Sequence, residues 1–167
     1  TAHPKKYKFI KMMSEQLKTI YPNQFIYYFF PSRIVFFYRK IMNPELHKAK
    51  YREFHFESLS GKQMDDTYSD SRCVLDSAQA GQLGLTIRVL EALGAKKKLI
   101  TTNEDVVNYD FYRRENIYVY DGKQVNLSDP FFTQSYQELD EDVYEKYSLR
   151  SWLKTMLTNS EYNGGVL

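Results

Sequence analysis

The run from Val74 to Asn103 constrains the fold more than any other part of this chain. It reads as a short buried strand, a Gly- and Gln-containing loop through Gly84, a helix stopped by Gly94, and a second buried strand at Leu99-Ile100-Thr101. Within the helix Leu85, Val89 and Leu93 share one face by three- and four-residue spacing, and Gly84, Arg88 and Glu91 share another. The first face is core. The second stands beside the loop, where the helix presents its unpaired N–H groups and the positive end of its dipole. An anion such as a phosphate is stabilised there.

The flanking sequence repeats the alternation of helix and strand. Helices are expected over Lys5–Tyr21, over Arg33–Met42 with Ser32 as its cap, over Glu45–Lys50 after Pro44, and briefly over Gly61–Ser71. Strands are expected over Gln24–Phe30, Tyr51–Leu59, Arg72–Asp76 and Asn116–Asp121, the last closed by the Asp121-Gly122 turn. Asn103 caps a further short helix, Pro130–Tyr136 is aromatic and irregular, and Asp140–Tyr147 and Ser148–Leu157 read as two closing helices. This pattern predicts an α/β fold with a mainly parallel sheet, one domain over residues 1–158, and a flexible tail over 159–167. The first helix has no strand before it, so a regular sheet calls for residues upstream of Thr1 and the chain reads as a fragment.

Composition narrows the function classes. Lys and Arg number 23 against 21 Asp and Glu, a formal charge of +2, which gives no overall attraction to nucleic acid. No stretch reaches the roughly 18 uninterrupted apolar residues of a membrane-spanning helix. Cys73 is the only cysteine, so no intrachain disulfide or multi-cysteine metal site can form, in keeping with a reducing cytoplasm. Asp65-Asp66 reads as a solvated acidic pair in a polar helix rather than a metal motif. No metal or cofactor is expected.

In open parallel sheets ligands sit beyond the carboxyl ends of the strands. That rule gathers Thr1–Lys6, Asp76–Thr86 and Thr101–Tyr112 into one candidate site. The amides of Gly81 to Thr86 would meet a phosphate, and Glu91 would accept from a ribose diol. The plainer reading makes Arg88 and Glu91 a surface ion pair and the glycines loop formers. Asp76 either holds the following loop or binds ligand, and Thr101, Thr102 and Asn103 either contribute to the site or cap the next helix. Tyr109, Phe111 and Tyr112 either wall a base pocket or fill the core. The stretch Phe25–Lys40 reads as a buried strand and amphipathic helix, or as a surface for peripheral membrane contact.

The run Gln79–Gly94, together with Lys98–Asn103, Tyr109-Asp110-Phe111-Tyr112 and Asn116-Ile117, resembles the nucleotide-sugar-binding half of bacterial GT-B glycosyltransferases of capsule, exopolysaccharide or lipopolysaccharide synthesis. Thr1–Tyr7 is similar to the loop after the first strand of that half, and Tyr147–Leu153 to its closing helix. The resemblance implies a Rossmann-like three-layer sandwich and a glycosyltransferase whose acceptor-binding N-terminal half lies outside this chain, so that the chain alone is inactive. It implies a nucleotide-sugar substrate, a polysaccharide or lipid-linked acceptor, no nucleic-acid partner, and a cytoplasmic location at the inner face of the membrane. Glu91 would match the family's ribose-binding glutamate, and Gly84, Leu85 and Thr86 the backbone at the donor diphosphate. Leu83 stands where a sugar-binding glutamate is expected, leaving Gln82 or Gln79 to replace it. Arg88 joins this donor site, Lys6 (or Lys5) would neutralise the departing diphosphate, and His3 would contact donor phosphate or sugar. The competing expectation is a non-catalytic α/β module of response-regulator or protein-interaction type. Only Asp76, of the acidic cluster a receiver needs, stands at a strand end.

Overall fold

Pro4 begins α1 (Pro4–Leu17), a position where its missing N–H removes no helical hydrogen bond. In this computed structural model, which describes residues 3–78 and 84–162, α1 buries Tyr7, Met13 and Leu17. The chain then extends to β1 (Tyr28–Phe29) and turns at Pro31-Ser32 into α2 (Arg33–Met42). The Ser32 hydroxyl caps α2 as expected, accepting from the Val35 amide at 3.1 Å. Two single-turn 3₁₀ helices, Pro44–Leu46 and Tyr51–Glu53, lead to β2 (Phe54–His55), which is followed by α3 (Gly61–Asp70).

These strands are shorter than the sequence suggests. The Glu53 carboxylate accepts from the Lys50 amide at 2.8 Å and holds Tyr51–Glu53 in a turn, so the strand expected over Tyr51–Leu59 keeps only Phe54–His55. Its partner can be no longer: β1 and β2 pair in parallel with Tyr28 opposite Phe54, and the run Gln24–Phe30 is paired only over Tyr28–Phe29. The helix expected over Glu45–Lys50 is reduced to the 3₁₀ turn at Pro44–Leu46.

The second sheet is built from β3 (Cys73–Leu75), β4 (Lys98–Thr101) and β5 (Ile117–Val119), with α4 (Ile87–Gly94) between the first two. Order is β3-β4-β5 and both pairings are parallel, Val74 lying opposite Leu99 and Leu99 opposite Ile117. All four residues of β4 are buried, as a central parallel strand covered on both faces requires. The chain closes with α5 (Pro130–Thr133), α6 (Glu141–Lys146) and α7 (Leu149–Tyr162). Thus α7 runs into the stretch expected as a tail from 159, and positions 163–167 lie outside the described residues.

Among the described residues the fold is therefore α/β with parallel pairing, in two small sheets where one was expected. Each sheet belongs to its own compact unit, Thr1–Asp70 with Gly122–Phe132 and Ser71–Asp121 with Thr133–Leu167. The division follows the hydrophobic cores. The first unit packs Tyr7, Tyr28, Phe30, Phe36 and Phe54 with Leu46 and Ala49, an aromatic cluster that takes up part of the chain's 15 Tyr and 11 Phe. Phe36 and Phe54 lie 4.8 Å apart between ring centres, and Phe30 meets Phe36 edge to face at 5.3 Å. Burial pushes the Tyr28 hydroxyl up to a pKa of about 12. The second unit instead packs aliphatic residues, Val89, Ala92, Leu93, Leu99, Val106, Ile117 and Leu139, around Phe111. Among the described residues no helix is long and apolar enough to cross a membrane.

Candidate functional site

The parallel register brings the carboxyl ends of β3 and β4 together, and polar side chains concentrate there. Asp76, the residue after β3, is buried, and its amide donates to the Ile100 carbonyl at 2.8 Å. Its Oδ2 accepts from the Thr101 hydroxyl at 3.2 Å and from the Thr86 hydroxyl at 2.9 Å. Two directed donors thus meet a carboxylate whose burial would otherwise be costly. Of the two uses expected for Asp76, its geometry serves the first: it ties β3 and β4 to the start of α4.

Three further hydrogen bonds continue the arrangement. The Thr102 hydroxyl accepts from the Ala78 amide at 2.9 Å. Asn103 Nδ2 donates to the Gly84 carbonyl at 2.8 Å, while its Oδ1 accepts from the Asp105 amide at 3.0 Å. Asn103 therefore caps the 3₁₀ helix Glu104–Asn108, as expected, and also holds the backbone ahead of α4. Residues on either side of positions 79–83 are fixed by consecutive side chains at the end of β4. Gly84 carries φ +78°, the left-handed region that glycine occupies without strain.

Thr86 occupies the N-cap position of α4, yet its hydroxyl makes no cap hydrogen bond, being turned to Asp76 instead. The first amides of α4 receive nothing from that side chain. On the helix face beyond them, Arg88 Nη1 and Glu91 Oε2 form an ion pair at 3.4 Å, both side chains more than a third exposed. Such a pair contributes only ~0–1 kcal/mol to folding. An exposed guanidinium and carboxylate one turn apart can instead meet an anion and a diol.

The expected site residues fall into three groups. Gly84, Leu85, Thr86, Arg88 and Glu91 lie together at the start of α4, with the Leu85 side chain packed against the second hydrophobic cluster. Gln79 and Gln82, like Leu83, lie outside the described residues. His3, exposed just before α1, and Lys6, half-buried in its first turn, belong to the first compact unit. Of the aromatic candidates Phe111 is core, with Tyr109 and Tyr112 packed against the same cluster. Cys73 is half-buried in β3.

Two clusters went unread in the sequence. In the first unit the Tyr7 hydroxyl donates to Glu53 Oε2 at 2.9 Å, and Lys11 Nζ donates to Tyr7 at 3.2 Å and to Glu53 at 3.4 Å. Burial opposes ionisation of Glu53, but the Lys50 amide, the Tyr7 hydroxyl and Lys11 together hold its carboxyl below the usual range. Tyr7 and Lys11 are four apart on α1 and readable as a pair; Glu53 is not. In the second unit Lys98 lies buried in β4 and donates to the Gln134 carbonyl at 2.6 Å, and burial depresses its pKa. A lysine opening an apolar run was the only signal.

Among the described residues no group of three or more His, Cys, Asp or Glu side chains is placed to hold a metal ion. Comparisons with protein-family models, with curated proteins and with solved structures found no match.

Proposed function

We propose that this chain is the donor-binding part of a glycosyltransferase, a Rossmann-like module that takes a nucleotide-activated sugar at the start of α4. The observation that supports this reading is the set of hydrogen bonds in which Asp76 accepts from Thr86, Thr102 accepts from the Ala78 amide and Asn103 donates to the Gly84 carbonyl, at the carboxyl ends of two parallel strands. A diphosphate over the α4 amides would be stabilised by the helix dipole and by Arg88, and Glu91 would accept from the ribose diol. Gln82 or Gln79 is the proposed further contact to the donor sugar. The half that binds the polysaccharide or lipid-linked acceptor, and with it transfer activity at the cytoplasmic face of a membrane, would reside outside this chain. No metal is required, because cation and dipole suffice to stabilise the departing diphosphate.

The test is a thermal-shift panel of UDP, GDP, ADP and CMP on the chain, backed by NMR of Arg88 and Glu91. One nucleotide at a hundredfold excess over its Kd should stabilise the fold by ~2.7 kcal/mol. Glu91→Gln and Arg88→Ala should each abolish most of that gain while leaving the melting temperature of the unliganded chain nearly unchanged, since both side chains are exposed. Silence from all four nucleotides would favour the non-catalytic module.

A further inference from the structure

The side of α2 turned to solvent is apolar. Ile34 and Ile41 are 82% and 76% exposed, and Phe37, Tyr38 and Met42 are each more than half exposed. At 100° per residue these five positions form one continuous arc of about 140°, while Phe36, on the opposite side, is wholly buried in the first unit's aromatic cluster. Ordinary amphipathic helices of soluble folds put such an arc inward. Here α2 has apolar groups on both sides, and its outer arc is left to water.

Charge identifies the occupant. No acidic residue occurs in α2, whose Arg33 and Lys40 border the arc on one side, with Arg39 beyond Met42 on the other. From Arg33 to Arg52 the chain carries six basic residues against one acidic, Glu45. Lys40 is held in place, donating to the Ala49 carbonyl at 2.7 Å. Protein-binding patches are depleted in lysine at their centres, whereas helices that lie in a lipid headgroup layer combine large apolar groups with Lys and Arg at the border. Phe37 and Tyr38 supply the aromatic rings favoured at that depth.

We propose that α2 docks flat on an anionic lipid bilayer, its Ile34–Met42 arc entering the headgroup layer and the surrounding cations meeting lipid phosphates. This surface lies in the first compact unit and stands independently of nucleotide binding by the second.

The experiment is co-sedimentation of the chain with vesicles of pure phosphatidylcholine and of phosphatidylcholine mixed with phosphatidylglycerol. Binding is expected to the mixed vesicles, weakening as salt rises. Replacing Ile34 and Ile41 together by Ser should reduce it at least about tenfold with the melting temperature unchanged, because both side chains are already in water. Arg39→Glu, an exposed substitution made separately, should also weaken binding to mixed vesicles and leave the fold intact. The proposal is overturned if the chain ignores the mixed vesicles or if the Ile34→Ser, Ile41→Ser variant binds as well as the unaltered chain. It is equally overturned if sedimentation equilibrium shows a dimer that the same pair of substitutions dissociates, since the arc would then be covered by a second copy.

Discussion

At the scale of single residues, Asp76 has the largest consequences. Its carboxylate is the acceptor for two threonine hydroxyls, one of them, Thr101, without solvent exposure. Asp76→Ala leaves Thr101 without that acceptor and should cost about 3 kcal/mol, read as a shift in urea midpoint at constant slope. Asp76→Asn retains an acceptor oxygen and should cost less. A loss of under about 0.5 kcal/mol for Asp76→Ala would mean that these hydrogen bonds do not hold the fold. Thr86→Val isolates one of the two bonds and should also release the start of α4 without disturbing β4.

At the scale of elements, α4 depends on how the chain reaches it. Among the described residues, apart from its chain neighbours, no atom lies within 4 Å of the place a Cβ would take at Gly84, so the cost of substitution there is argued from backbone strain. Gly84→Ala should therefore destabilise by about 1–2 kcal/mol, against Gly94→Ala, at the end of the same helix, which should be neutral or mildly stabilising. Chemical denaturation of the two variants side by side is sufficient to tell. Elements governed by local rules were readable in advance: Ser32 ahead of α2, Asn103 ahead of its 3₁₀ turn, and the apolar face of α4. The strand lengths were not, because alternation in Tyr51–Leu59 cannot show that Glu53 bends back to the Lys50 amide. Likewise a capping rule reads only neighbours and would give the Thr86 hydroxyl to α4, whereas its partner Asp76 lies ten residues earlier, just after β3. Helical spacing grouped Gly84, Arg88 and Glu91, but α4 begins only at Ile87, so Gly84 stands ahead of the helix in a left-handed conformation rather than on its face. His3 and Lys6 belong to the first compact unit and the start of α4 to the second.

At the scale of the whole molecule, two cores of different chemistry, one aromatic and one aliphatic, predict separable responses to damage. Phe36→Ala removes the ring at the centre of the first cluster, a loss of about 3–5 kcal/mol. Hydrogen exchange followed by mass spectrometry should then show faster exchange across residues 4–70 and 122–132, with β3, β4 and β5 retaining their protection. Uniform acceleration through both units would mean that the chain opens as one cooperative body.

The Thr102 hydroxyl accepts from the Ala78 amide and Asn103 donates to the Gly84 carbonyl, so two consecutive residues beyond β4 hold the chain both before and after positions 79–83. Neither hydrogen bond draws on a side chain from those five positions. A library randomised there would thus leave the anchors on either side in place, and the start of α4 with them.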